Sequence, residues 1–213
     1  MKEHVWLSYA KEDTMLLVFA TNDLVESADQ RFLDGIALNK QGLPVPVECC
    51  PNRLWGEDDL PAYEKRVPLD KPLPHLFEAA GQWFVSDKAA RIINQFDLGS
   101  GALYPVGEGV FRKDRTTRVP GDYFCWIFGN TKEAFLPDET PRKEAFGIGG
   151  KTWCMPDKPV DGDVAIARSA IVGPDVWVDP GLFKAIFLSG PLGDALQEAG
   201  MGKAFRLACC RVA

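Results

Sequence analysis

Phe84-Val85-Ser86 and Phe187-Leu188-Ser189 each open a run with the same hydrophobic spacing. Ser86 is followed by apolar residues at Ala89, Ile92/Ile93 and Phe96, then by Gly99 and an apolar run to Val106. Ser189 is followed by Leu192, Ala195/Leu196 and Ala199, then by Gly200 and an apolar run to Val212. A serine oxygen accepts the orphan N–H groups of a helix start, and a glycine in the left-handed conformation stops a helix. Both runs therefore predict a Ser-capped amphipathic helix, a stop at Gly99 or Gly200, and a following strand. The repetition is either an old duplication or a common helix–strand idiom, and the unequal loops before the two serines favour the idiom. The fold expected is α+β, mostly antiparallel strands with a few short Ser-capped helices packed on them.

Outward from these units, the 213 residues fit one large domain or two small ones. Hydrophobic residues at 46 % and charged residues at 25 % are the balance of a globular chain that buries a core. The apolar stretches, such as Met15 to Ala20 and Ala185 to Leu188, fall far short of the ~20 residues of a membrane helix. The N-terminus, Met1-Lys-Glu-His-Val-Trp6, has no apolar signal core, so a cytoplasmic location without a membrane partner is expected.

The net charge of −6 resides in the first half: residues 1–106 hold 10 Lys/Arg against 16 Asp/Glu, and residues 107–213 hold 14 of each. Glu57, Asp58, Asp59 and Glu64 form the densest acidic cluster. It reads either as a solvated loop or as a surface that repels nucleic acid and speeds encounter with a basic protein. Six cysteines, at 49, 50, 125, 154, 209 and 210, make no C-x-x-C and have no histidine spaced to complete a zinc set. They read as reduced, small apolar residues, with no metal or cofactor called for.

Val5-Trp6-Leu7 and Met15 to Phe19 predict two strands, and Phe32 to Leu38 a third with a bend at Asp34-Gly35. Seven prolines between Pro44 and Pro74 predict an extended surface connection with no central strand. This places a boundary near residue 70: residues 1–70 form a strand-rich region with a Pro-rich connection, and residues 71–213 an α+β domain, unless the two are one continuous domain. Leu76 to Ala80 predicts a short helix, and Tyr123 to Phe128 a core strand. Val164 to Val172 and Val176 to Val178 predict further strands.

The residues that bear chemistry are sparse. Ala145-Phe-Gly-Ile-Gly-Gly150-Lys151-Thr152 matches the phosphate-cradling loop except for alanine in the first position. Neither the polar residues before it nor Pro156 and Pro159 after it suit the strand and helix that such a loop joins. His4 and His75 are the only histidines, no G-x-S-x-G occurs, and Ser86 and Ser189 are accounted for as caps. Arg112, Lys113, Arg115 and Arg118 read as a solvated hairpin tip or as an anion contact. Trp55, beside the acidic cluster, reads equally as a binding hot spot or as a ring folded back onto the domain.

Leu73-Pro-His-Leu-Phe77, Trp83-Phe-Val-Ser86, Phe96-Asp-Leu-Gly99, Leu103-Tyr-Pro-Val106, Gly121-Asp-Tyr-Phe124, Val176-Trp-Val-Asp179 and Phe187-Leu-Ser189 follow one another in this order. The series resembles the Imm11 (DUF1629) family of bacterial polymorphic-toxin immunity proteins over residues 75–213, and more loosely over the first 70. The resemblance implies a cytoplasmic protein, encoded beside a toxin, that binds and neutralises it without catalysis. It carries no catalytic residues and no cofactor. The expectation is occlusion of a cognate toxin domain, itself basic, through Trp55, Glu57, Asp58, Asp59 and Glu64. The alternative is a small ligand- or nucleotide-binding domain, or an enzyme, using the Gly149-Gly150-Lys151-Thr152 loop. A structural subunit or adaptor is a third reading. The oligomeric state, the toxin and its interface are left open by the sequence.

Overall fold

The computed structural model describes residues 4–10, 17–18, 20–56, 72–147, 152–155 and 158–213. The chain runs β1 (Val5–Ser8), β2 (Leu17–Val18), β3 (Ala20–Asn22), α1 (Asp23–Glu26), α2 (Gln30–Lys40), β4 (Arg53–Gly56), β5 (Leu76–Ala79) and β6 (Gln82–Ser86). It continues through α3 (Asp87–Ile93), β7 (Ala102–Pro105), β8 (Gly109–Phe111), β9 (Tyr123–Ile127), β10 (Glu144–Phe146) and β11 (Thr152–Cys154). The last elements are β12 (Ala165–Ile166), β13 (Val176–Trp177), β14 (Ile186–Ser189), α4 (Gly190–Glu198), α5 (Gly202–Phe205), β15 (Leu207–Cys209) and β16 (Arg211–Val212). The strands lie in several mostly antiparallel sheets beside short helices, an α+β fold.

Two sheets carry the architecture, and they are built alike. One has the order β2-β5-β6-β9-β7, the other β13-β14-β1-β15. In each, a strand and its antiparallel successor end on the capping serine, a helix follows, and the next strand returns two places away. The intervening place is filled by β9 in the first sheet and by β1, from the other end of the chain, in the second. The register agrees residue by residue. Ser86 faces Tyr123 as Ser189 faces Val5, and Phe77 faces Phe84 as Trp177 faces Phe187. Both of the latter pairs are stacked rings, with centroids 5.5 and 5.6 Å apart. The backbone N–H of Ser86 donates to His75 O and that of Ser189 to Asp175 O, again at matching positions. Shared order and register favour duplication over a common idiom, and unequal loops do not weigh against it, because loops tolerate insertion.

The two units bury equivalent faces against each other. Leu76, Val85, Ala89 and Ile93 from the first join Val176, Leu188, Leu192 and Leu196 from the second in one core cluster. Their opposite faces feed separate clusters, Phe77 and Phe84 packing with Leu54, Val110 and Tyr123, and Trp177 and Phe187 with Val5, Phe135 and Ile166. Alternate residues of a strand point to opposite faces, which explains how Phe84 and Val85 enter different cores.

Both serines cap as expected: Ser86 Oγ accepts the Ala89 N–H and Ser189 Oγ the Leu192 N–H, each at 3.3 Å. The two stops differ. Gly200, at φ +75°, follows the Ala199 cap, with Gly200 N–H donating to Gln197 O and Met201 N–H to Leu196 O. That pair of bonds is a Schellman motif, and Met201 and Leu196 share the central core. The first helix instead ends at Asn94, and Gly99, at φ +55°, turns the later loop where Asn130 and Pro174 leave no room for a Cβ.

Four other local expectations are corrected. Phe32 to Leu38 lies within α2: Asp29 Oδ1 accepts the Arg31 N–H, and Phe32, Gly35 and Asn39 are buried at helical spacing. Gly35 serves contact here, since a Cβ would come within 2.8 Å of Cys49 Cβ. Leu76–Ala79 is a strand, because Ala80 (φ +50°) and Gly81 (φ +85°) make the two-residue type I′ turn of a tight hairpin. The Pro-rich stretch does hold a central strand: Arg53–Gly56 pairs with β3 on one side and β8 on the other, in a window free of proline. Within Val164 to Val172 only Ala165–Ile166 is a strand, followed by a 3-10 turn over Arg168–Ile171.

Candidate partner-binding surface

The three-stranded sheet β3-β4-β8 holds the tryptophan that the sequence singled out. Arg53 and Trp55 are two apart on β4 and so share a face, and Phe111 lies opposite Trp55 on parallel β8. The Trp55 side chain is folded back onto the domain, 4 % exposed. Arg115 places its guanidinium 4.5 Å from the Trp55 ring centre, and Arg53 lies 4.4 Å from that of Phe111. Carboxylates hold both cations, Glu26 at 2.6 Å from Arg115 and Glu108 at 3.6 Å from Arg53. What faces outward is thus a layer of guanidinium and carboxylate groups over two aromatic rings, a cation–π arrangement. The i, i+2 spacing of Arg53 and Trp55 was visible in the sequence, whereas the match to Phe111 needed the strand register.

Glu57, Asp58, Asp59 and Glu64 lie outside the described residues. Glu57 follows Gly56 directly, and β4 and β8 are parallel, so the chain leaves both strands at the same end of the sheet. Beyond β8 the basic run Arg112 to Arg118 is a hairpin tip, closed by Arg112 N–H to Thr117 O at 2.8 Å and Arg115 N–H to Arg112 O at 2.9 Å. Inside it Asp114 accepts from the Thr117 hydroxyl and the Thr116 and Thr117 N–H groups, which pulls its pKa down to about 2. Arg118 pairs with Asp122 at 2.8 Å. This surface therefore interleaves both signs of charge.

The other candidate residues are placed as follows. His75 Nδ1 lies 2.7 Å from Ser86 Oγ, a contact that the sequence did not signal. Burial, with Lys88 nearby, pushes the imidazole below its ordinary value, toward the neutral form. Ser189, at the matching position, caps its helix with Asp175 where the first unit has His75, so the serine is explained by capping in both. His4 Nε2 meets Asp194 Oδ1 at 2.8 Å, as does the Trp6 indole N–H at 3.0 Å. Cys49, Cys125 and Cys210 are buried. Burial raises the thiols of Cys49, Cys209 and Cys210, and contact with Cys50 together with burial raises that of Cys125, which keeps them protonated.

Residues 148–151 of the Gly-rich loop lie outside the described set. Its flanks are β10 and β11, an antiparallel pair with Phe146 opposite Thr152. Thr152 therefore opens a strand, whereas the phosphate-cradling loop requires a helix there. No described helix is long and apolar enough to cross a membrane. In comparisons with known proteins, no protein-family model matches the chain, and no curated protein matches it either.

Proposed function

We propose that this chain is a non-enzymatic immunity protein of the cytoplasm that binds a cognate bacterial toxin domain and occludes its active site. The observation that carries the reading is where the seven resembling segments lie. Six fall in the two repeated units, at β5, β6, the loop after α3, β7, β13 and β14, and the seventh runs into β9, the strand that completes the first sheet. The segments that carry the resemblance are thus scaffold, which leaves the charged face of the three-stranded sheet free to differ from one partner to another. Arg53, Arg115, Glu26 and Glu108 there suit a charged interface, and Glu57-Asp58-Asp59 follow Gly56 of the same strand in the chain. Complementary charge acts chiefly on association rate and on the choice of partner.

The test is co-expression and pull-down with the protein encoded beside this one. Tight binding with rescue from that protein's toxicity is the expected result, and neither binding nor rescue would end the reading. Within a complex, charge reversal at Asp58 and Asp59 is expected to slow association and flatten its salt dependence. Unchanged kinetics would remove that segment from the interface.

A further inference from the structure

On the opposite side of the second unit, an open cleft of about 790 Å3 lies between the Glu133–Pro137 loop, β11 and the turn after β13. Its walls include Phe135, Pro137, Trp153 and Pro180, with the carboxylates of Glu133 and Asp179. The backbone fixes these walls. Asp179 Oδ2 accepts the Ala134 and Phe135 N–H groups, both at 2.7 Å, and Oδ1 accepts the Gly181 N–H at 2.8 Å. Trp153 N–H donates to Gly181 O at 2.9 Å and Phe183 N–H to Trp153 O at 2.7 Å, which tie β11 to the same turn.

Three properties of the cleft converge on a cationic occupant. Asp179 is 5 % exposed, and its oxygens are held by amides, with no cation paired to it among the described residues. Glu133 is exposed and its side chain makes no hydrogen bond or ion pair among the described residues. The Trp153 ring already attracts a cation of this chain, since Lys143 Nζ lies 4.8 Å from its centre. An aromatic face, a free carboxylate and apolar proline and phenylalanine surface are what a guanidinium on a three-carbon stem requires: stacking, an ion pair and cover for the methylenes.

We propose that this cleft receives an arginine side chain presented by a basic partner protein. The partner's identity rests on the immunity reading, and the chemistry of the cleft does not. The arginine stacks on Trp153, pairs with Glu133 and displaces Lys143 from the ring.

The experiment follows the Trp153 indole N–H by NMR, assigned with Trp153→Phe, while the intact chain is titrated with Nα-acetyl-arginine methylamide. The citrulline analogue, neutral and of the same shape, is the control. A saturable shift with the arginine probe and none with citrulline is expected. Glu133→Gln, an exposed site, is expected to weaken binding about two- to fivefold, and Lys143→Met to strengthen it. Equal responses to the two probes, or no response to arginine, would overturn the cleft. If the neighbouring toxin binds the wild type and Glu133→Gln with equal affinity, the cleft is not its interface and the immunity reading stands. An arginine response without toxin binding removes the immunity reading and leaves the cleft.

Discussion

At the scale of single residues, the clearest test compares the two serines. Each supplies one cap bond at the same length to the same place in its helix, so Ser86→Ala and Ser189→Ala are each expected to cost about 1 kcal/mol. In a chain of this size that lowers the melting temperature by ~2–4 °C, read by thermal denaturation. Among the described residues the His75 ring bonds only to Ser86, so a Ser86→Ala loss well above that of Ser189→Ala would show the His75 link to be a separate support. A cap needs one oxygen at one offset, which is why both caps were legible in the sequence. The 2.7 Å approach of His75 depends on the hairpin that brings β5 beside β6, and no local pattern reports it.

At the scale of elements, α2 carries the lesson. Asp29 as cap and the burial of Phe32, Gly35 and Asn39 were written in the sequence, but Asp34-Gly35 gave the stronger local signal and favoured a strand with a bend. What settles the matter is contact at both ends of the buried face. Gly35 lies against Cys49, and the Asn39 amide donates to Trp126 O at 2.9 Å while its oxygen accepts the Phe128 N–H at 2.8 Å. Gly35→Ala would gain about 1 kcal/mol of helix propensity in an isolated helix. Here the added methyl meets both Cβ and the carbonyl oxygen of Cys49, at 2.8 and 3.1 Å, a crowding of about 1–3 kcal/mol. Net destabilisation is expected in thermal or urea unfolding, and a more stable variant would mean that the turn holding Cys49 yields freely.

At the scale of the whole molecule, the two units are joined by more than their shared core. Asp97 and Asp175 exchange bonds across the join, with Asp97 N–H to Asp175 Oδ2 and Asp175 N–H to Asp97 O, both at 2.7 Å. The Asn130 amide reaches Leu98 O, Phe128 O and Val176 O, spanning both units. The second unit also borrows its third strand, β1, from far upstream, where Trp6 pairs with Leu188 on one side and Cys209 on the other. Deleting residues 1–10 therefore removes an interior strand, its edge hydrogen bonds and the buried Val5 and Leu7. The expected outcome is loss of the cooperative thermal transition and of near-ultraviolet dichroism. A truncated chain that melts sharply near the wild-type temperature would show that β1 is dispensable.

The α+β class, both capped helices and the β9 core strand were legible in the sequence, because caps and hydrophobic period are local and each needs only a few neighbouring residues. The folding back of Trp55 under Arg115, the helical state of Gln30–Lys40 and the strand within the proline-rich stretch were decided by partners far away in the chain. The same holds for the equivalence of the two units, since β1 completes the second only after the chain has folded back some 180 residues onto itself, as the pairing of Trp6 with Leu188 records. The cleft at Trp153 was beyond reach for the same reason: its walls come from three separated segments, and the bonds that join them, from Asp179 to Ala134 and from Trp153 to Gly181, have no counterpart in any local spacing.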